Sequence, residues 1–189
     1  SYSVTGVQTC ALPISLVYRV LFLLVIEERD LTHPEGADPE LRSLYREYYS
    51  LSALRTRCRS VRVEDARYGD LWLTLVDCFS LFEDAGRAAA LGLKPLAGDL
   101  FSAEAMGVVR GLFLDNRSFA AGLNLLDSYQ DEKRGVPVRV NYAALNVEEF
   151  GSIYEGLLDY DAQVDSDGTQ LRFAFVRGDD RGKDRKSVV

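Results

Sequence analysis

Apolar positions along this chain recur mostly every three or four residues, the period of helices buried on one side. Leu16 to Ile26 (LVYRVLFLLVI) is apolar nearly all round, with one interruption at Arg19. It predicts a helix over Leu16 to Leu31, central in its bundle. Thr32-His33-Pro34-Glu35-Gly36 ends that helix. Asp38, Pro39 and Glu40 then supply an N-cap, a first-turn proline and an acidic first turn. The helix they open carries Leu41, Leu44, Tyr45, Tyr48, Leu51 and Leu54 as one stripe. Arg42, Arg46, Glu47, Arg55, Arg57 and Arg59 read as its solvated face. A third helix spans about Asp65 to Ala90, with Leu71, Trp72, Leu75, Val76, Phe79 and Phe82 inward and a break near Gly86. Leu91 to Phe101 (LGLKPLAGDLF) is a loop rich in Leu, of the kind pinned against a core. Asn116 to Tyr129 is a further helix, with Asn116 as its cap and Phe119, Leu123 and Leu126 on one side.

The texture changes after Gln130. Val136 to Tyr142 (VPVRVNY) alternates like a short strand or extended linker. Asn146 and Glu149 fit a capping box that opens a helix over Val147 to Leu158. Val147, Phe150, Ile153, Tyr154, Leu157 and Leu158 share its apolar face. A turn at Asp165 to Gly168 joins strands near Ala162–Val164 and Gln170–Val176 into a hairpin. The fold class expected is mainly α: a helical bundle of about five helices with a small C-terminal β-hairpin.

Composition changes this picture little. Of 189 residues, 47% are hydrophobic and 27% charged, enough for a substantial core. The net charge of -7 argues against this segment alone gripping a phosphate backbone. Leu16–Ile26 is too short to span a bilayer and runs directly into Glu27 and Glu28, so no membrane contact is expected. Cys58 and Cys78 read as ordinary thiols on helices, in keeping with a cytoplasmic protein. The ends are unusual. Val4 to Ile14 (VTGVQTCALPI) and Asp184 to Val189 (DRKSVV) resemble translated sequencing adapters. Residues 1–14 and 184–189 are therefore set aside as artefactual, and Ser15 to Lys183 is read as part of a longer frame. Within it, 15–135 is the helical bundle, and 136–183 is a linker strand, helix and hairpin.

Candidate chemistry is sparse. His33 is the lone histidine and reads as a turn residue, so no catalytic triad can be built on it. The glycines match no phosphate-binding loop. Asp159, Asp161, Asp165 and Asp167 lack the register and closing glutamate of a calcium loop.

One stretch stands out. Val140 to Tyr160 reads VNYAALNVEEFGSIYEGLLDY. It resembles a signature that precedes the catalytic core of large adenine-specific DNA methyltransferases in fused restriction–modification and phage-defence systems. The match runs through Tyr142, Ala143, Leu145, Val147, Glu148, Glu149, Gly151 to Glu155, Leu157, Leu158 and Tyr160. Asn141, Asn146 and Phe150 depart from it. Val20 to Leu31 (VLFLLVIEERDL) and Leu93 to Phe101 (LKPLAGDLF) are similar to a helix and a loop of the same family, in the same order.

The resemblance implies a parent enzyme that transfers a methyl group from S-adenosylmethionine to adenine in DNA. The family's Asn-Pro-Pro-Tyr motif does not occur in this chain, which has no Asn-Pro pair. No catalytic, cofactor-binding or metal residues are thus expected here. DNA would be met through other parts of the parent, and this segment would contact the methyltransferase core within the same chain. Phe150, Gly151, Ile153, Tyr154, Glu155 and Leu157 are the candidates for packing at that domain junction. Gly151 and Gly156 are costly inside a helix and make sense where another backbone or ring approaches closely. The alternative is a helical scaffold or protein-interaction module with no enzyme attached.

Overall fold

The structure, a computed structural model, describes residues 6–96, 98–131, 135–158, 160–166 and 171–177. Its helices are α1 (Gly6–Glu28), α2 (Pro39–Leu44), α3 (Leu51–Cys58), α4 (Asp70–Glu83), α5 (Ala85–Ala90), α6 (Asn116–Asp127) and α7 (Val147–Leu158). Two antiparallel hairpins complete it: β1 (Ser128–Asp131) with β2 (Val136–Arg139), and β3 (Tyr160–Ser166) with β4 (Leu171–Arg177). The chain is mainly helical with small β elements, as the periodicity implies. It divides into two compact units, Arg19–Ala144, and Ser1–Tyr18 with Leu145–Val189.

The larger unit takes in residues 19–28 of α1. Val20, Leu21, Leu23, Leu24 and Ile26 are all buried, and no position from Arg19 to Glu28 is exposed. The helix begins at Gly6, inside the stretch set aside from the sequence, and ends three residues before the expected Leu31. Its end is a Schellman turn: the Asp30 N–H donates to the Glu27 carbonyl (3.1 Å) and the Leu31 N–H to the Ile26 carbonyl (2.8 Å). Asp30 holds the left-handed position, φ 57°, usually taken by glycine. Its carboxylate explains the choice of residue, since Arg42 and Arg46 both pair with it, at 2.8 and 2.7 Å.

The second expected helix is broken into three pieces. Asp38 caps α2 as expected, accepting from the Glu40 N–H. A π-helical turn at Tyr45–Tyr49 follows, and Ser50 then caps α3 by accepting from the Ala53 N–H at 3.0 Å. The widened turn shifts the phase of the stripe. Tyr45, Leu51 and Leu54 stay buried, whereas Leu44 and Tyr48 are exposed. The third expected helix is also divided. A 3₁₀ turn at Val63–Arg67 precedes α4, and Asp84 ends α4 and caps α5, accepting from the Arg87 N–H. The break falls two residues before the predicted Gly86.

The apolar loop is pinned as expected, with Leu91, Leu93 and Phe101 buried. Asp115, not Asn116, caps α6 by accepting from the Ser118 N–H. Asn116 serves α4 instead: its Oδ1 accepts from the Leu71 N–H, an amide that Gly69 at the cap position cannot satisfy. Helix α6 ends two residues earlier than expected because Ser128 and Tyr129 enter β1. Sequence gave β2 no partner, since Ser128–Asp131 (SYQD) lacks apolar alternation.

In the smaller unit, the capping box of α7 forms as predicted. The Asn146 N–H donates to Glu149 Oε2 and the Glu149 N–H to Asn146 Oδ1, each at 2.8 Å. The β3–β4 hairpin follows, in register from Tyr160↔Arg177 to Ser166↔Leu171. The predicted turn at Asp165 to Gly168 falls partly outside the described residues, as do Asp159 and residues 184–189.

Candidate functional site

On α7, Phe150, Ile153 and Leu157 are half-buried at helical spacing, and Glu155 is exposed. The Tyr154 and Leu158 side chains lie outside the described residues. The Phe150 ring stacks at 4.5 Å on Tyr18. Val147 is 82% exposed, so the apolar face starts at Phe150 rather than at the first residue of the helix. A Cβ added at Gly151 or Gly156 would meet nothing within 4 Å among the described residues. The close approach expected at these glycines is therefore not made by the described part of this chain.

The densest polar chemistry lies in the larger unit, on residues that sequence patterning had placed on a solvated face or passed over. Arg55 is buried at 3% exposure. Its Nε donates to Asp127 Oδ1 at 2.7 Å, and a second nitrogen donates to the same carboxylate. Its third donates to Glu28 Oε1 at 2.9 Å. Arg59 completes Asp127 at 2.6 Å. Burial works to raise the Asp127 carboxyl, but the Arg59 and Arg55 bonds outweigh it and hold the carboxyl below its usual range. Glu28 Oε2 accepts from the Tyr142 N–H (2.9 Å) and the Ala143 N–H (3.3 Å). The Tyr142 ring lies under the Arg55 guanidinium at 5.7 Å, and its hydroxyl donates to the Leu126 carbonyl at 2.5 Å. Burial pushes the Tyr142 phenol up to about 12.

Glu27, one residue earlier, caps another helix. It accepts from the Leu51 N–H (2.8 Å), the Ser52 N–H (3.0 Å) and the Tyr45 hydroxyl (2.7 Å). With Ser50 it satisfies the first three amides of α3. Burial raises its carboxyl above the usual range despite these donors. A cavity of about 310 Å³ adjoins Glu27, Glu28, Tyr45, Ser52 and Arg55.

A second ionic cluster is centred on Arg19, the charge inside the apolar run. It is fully buried and donates to the Leu100 carbonyl (2.6 Å), the Ser102 carbonyl (2.6 Å) and Glu83 (2.5 Å). Phe79 and Phe101 face its guanidinium at 5.5 and 5.2 Å. Arg110 pairs with the other Glu83 oxygen and donates to Ser80 Oγ. Sequence held one signal for this cluster: a single arginine at a core position of an otherwise apolar helix needs a buried acceptor set.

His33 sits in the turn after α1 as predicted, but it is buried. Its Nε2 faces the Leu91 carbonyl at 3.2 Å and its Nδ1 the Thr32 hydroxyl at 2.9 Å. A carbonyl only accepts, so Nε2 carries the proton and Nδ1 accepts from Thr32. Burial lowers the His33 pKa, with the Leu91 bond opposing. Cys58 and Cys78 are buried free thiols, and burial pushes Cys58 up to about 11.

These groups share a pattern: each acid is matched to donors and each buried cation to acceptors. The arrangement ties helices and loops together. Among the described residues, no group of three or more His, Cys, Asp and Glu side chains is placed to hold a metal ion, and no helix is long and apolar enough to cross a membrane. No family model matches the chain, and no curated protein or solved structure is similar enough to match it.

Proposed function

We propose that this chain is a helical connector from an adenine-specific DNA methyltransferase of a restriction–modification or phage-defence system, inactive by itself and serving to orient the catalytic domain. The observation that carries the reading is the Val140–Tyr160 signature. Two physical features support a connecting role for it. Its first residues are tied to α1, α3 and α6 through Glu28, Arg55 and Leu126. Its helix opens with a reciprocal capping box and carries two glycines that no described residue of the chain packs upon. In the parent, S-adenosylmethionine and DNA would bind elsewhere, and the Phe150–Leu157 side of α7 would meet the methyltransferase core. The test is the reading frame at the source locus. Continuation past codon 183 into a glycine-containing cofactor loop and Asn-Pro-Pro-Tyr supports the connector, and a stop codon there rejects it. A non-enzymatic helical scaffold is the second reading, favoured by ionic clusters that are committed to holding the fold.

A further inference from the structure

The stretch from β1 to the 3₁₀ turn at Tyr142–Ala144 is attached to its unit in an unusual way. Among its described residues, 128–131 and 135–144, Tyr142 is the one buried side chain. Tyr129 and Val136 are about half exposed, at 56% and 49%. Apart from the Tyr142 ring, hydrophobic burial therefore contributes little to holding this stretch down. What holds it is polar: the Val140 N–H donates to the Asp127 carbonyl (3.0 Å), Glu28 accepts from the Tyr142 and Ala143 amides, and Arg29 donates to the Ala143 carbonyl (3.2 Å). Arg139 adds looser pairs to Glu28 (3.6 Å) and Asp127 (3.7 Å). Space for water flanks the central carboxylate on both sides. The 310 Å³ cavity lies toward Tyr45, and a second cleft of about 420 Å³ is lined by Glu28, Arg139, Asn141 and Ala143.

We propose that residues 135–144 form a strap, closed by a polar clasp centred on Glu28, which opens as one local unit while the helical core beneath stays folded. Water in the two clefts takes over the bonds of Glu28 as the strap lifts, which keeps the opened state accessible. In the chain the strap is followed, after Leu145 and Asn146, by α7. The clasp is thus a conformational device, and it acts the same way under either function proposed above.

Native-state amide hydrogen exchange on the full chain tests this. The Val140, Tyr142 and Ala143 amides should exchange at a common rate, at least about a hundredfold faster than those of Leu24, Leu75 and Phe79, with little dependence on urea. Glu28→Gln should speed the strap amides by a further tenfold to hundredfold or so and leave the core amides unchanged. Should that variant fail to fold, Tyr142→Phe removes the Leu126 bond alone and should act on the same amides. Strap amides that exchange with the core, at the same rate and with the same urea dependence, would overturn the proposal. So would a variant that accelerates strap and core equally.

Discussion

Removing the Arg19 guanidinium should cost the larger unit a large part of its stability. The side chain is fully buried and its nitrogens serve three acceptors on two segments: Glu83 on α4, and the carbonyls of Leu100 and Ser102 on the loop after α5. Arg19→Met keeps the apolar stem but leaves both carbonyls without that donor. Glu83 keeps only Arg110, which is partly exposed. Breaking a buried ionic set from one side costs about 3–5 kcal/mol, against a total of about 5–15 kcal/mol for a domain. With a urea m-value of about 2 kcal/mol per M, the unfolding midpoint should drop by about 1.5–2.5 M while m stays constant. Arg19→Lys keeps the charge but cannot reach three divergent acceptors, so it should lose about 2 kcal/mol. Arg19→Met combined with Glu83→Gln should cost less than the sum of the two single changes, since each removes the other's unmet partner. A midpoint within about 0.5 M of wild type for Arg19→Met would refute the argument that this cluster ties the 98–102 loop to the core.

Four further outcomes follow from the same geometry. His33 titrates below its unfolded value of 6.5, so its contribution is present above that pH and lost as pH falls through its lowered folded pKa; urea titrations should show stability declining there, and His33→Gln should flatten that slope. Asp127 behaves likewise in the acid range: its contribution is present above its ordinary 3.8 and lost as pH falls below it, a slope that Asp127→Asn removes along with the Arg55 and Arg59 ion pairs. Asp30→Gly relieves a left-handed aspartate at the expense of two exposed ion pairs, and calorimetry should find it neutral or stabilising by up to about 1 kcal/mol. Gly156→Ala meets open space and should stabilise α7 by up to about 1 kcal/mol in this chain, read by amide exchange along the helix; destabilisation would mean that something packs there.

Periodicity made the helical class, the buried positions of α1 and the pinned 91–101 loop legible, because burial dictates those positions directly. The capping residues Asp38 and Asn146 were legible for a similar reason, since their partners lie within three residues. The division of the second helix was not. A π-helical turn followed by a Ser50 cap leaves the three- and four-residue spacing nearly intact, and only Leu44 and Tyr48 reveal the shift by their exposure. Nor could spacing expose the Arg55–Asp127 or Arg19–Glu83 pairs. Their partners are 72 and 64 residues apart: Arg55 reads as solvated until the fold brings Asp127 to it, and Arg19 in its apolar run signals a buried acceptor without identifying Glu83. Of the α7 candidates, Phe150, Ile153 and Leu157 are half-buried at helical spacing and Glu155 is exposed, and their role at a domain junction belongs to the proposed function.

The proposed methyltransferase origin is tested most directly by adenine methylation in a host that lacks its own methyltransferases. The gene recovered from the source locus should mark adenine at one defined sequence motif across the genome. Deleting codons 147–158 from it should abolish the mark while the protein is still made. Unmethylated adenine with the intact gene expressed, or a mark that survives the deletion, would contradict the account.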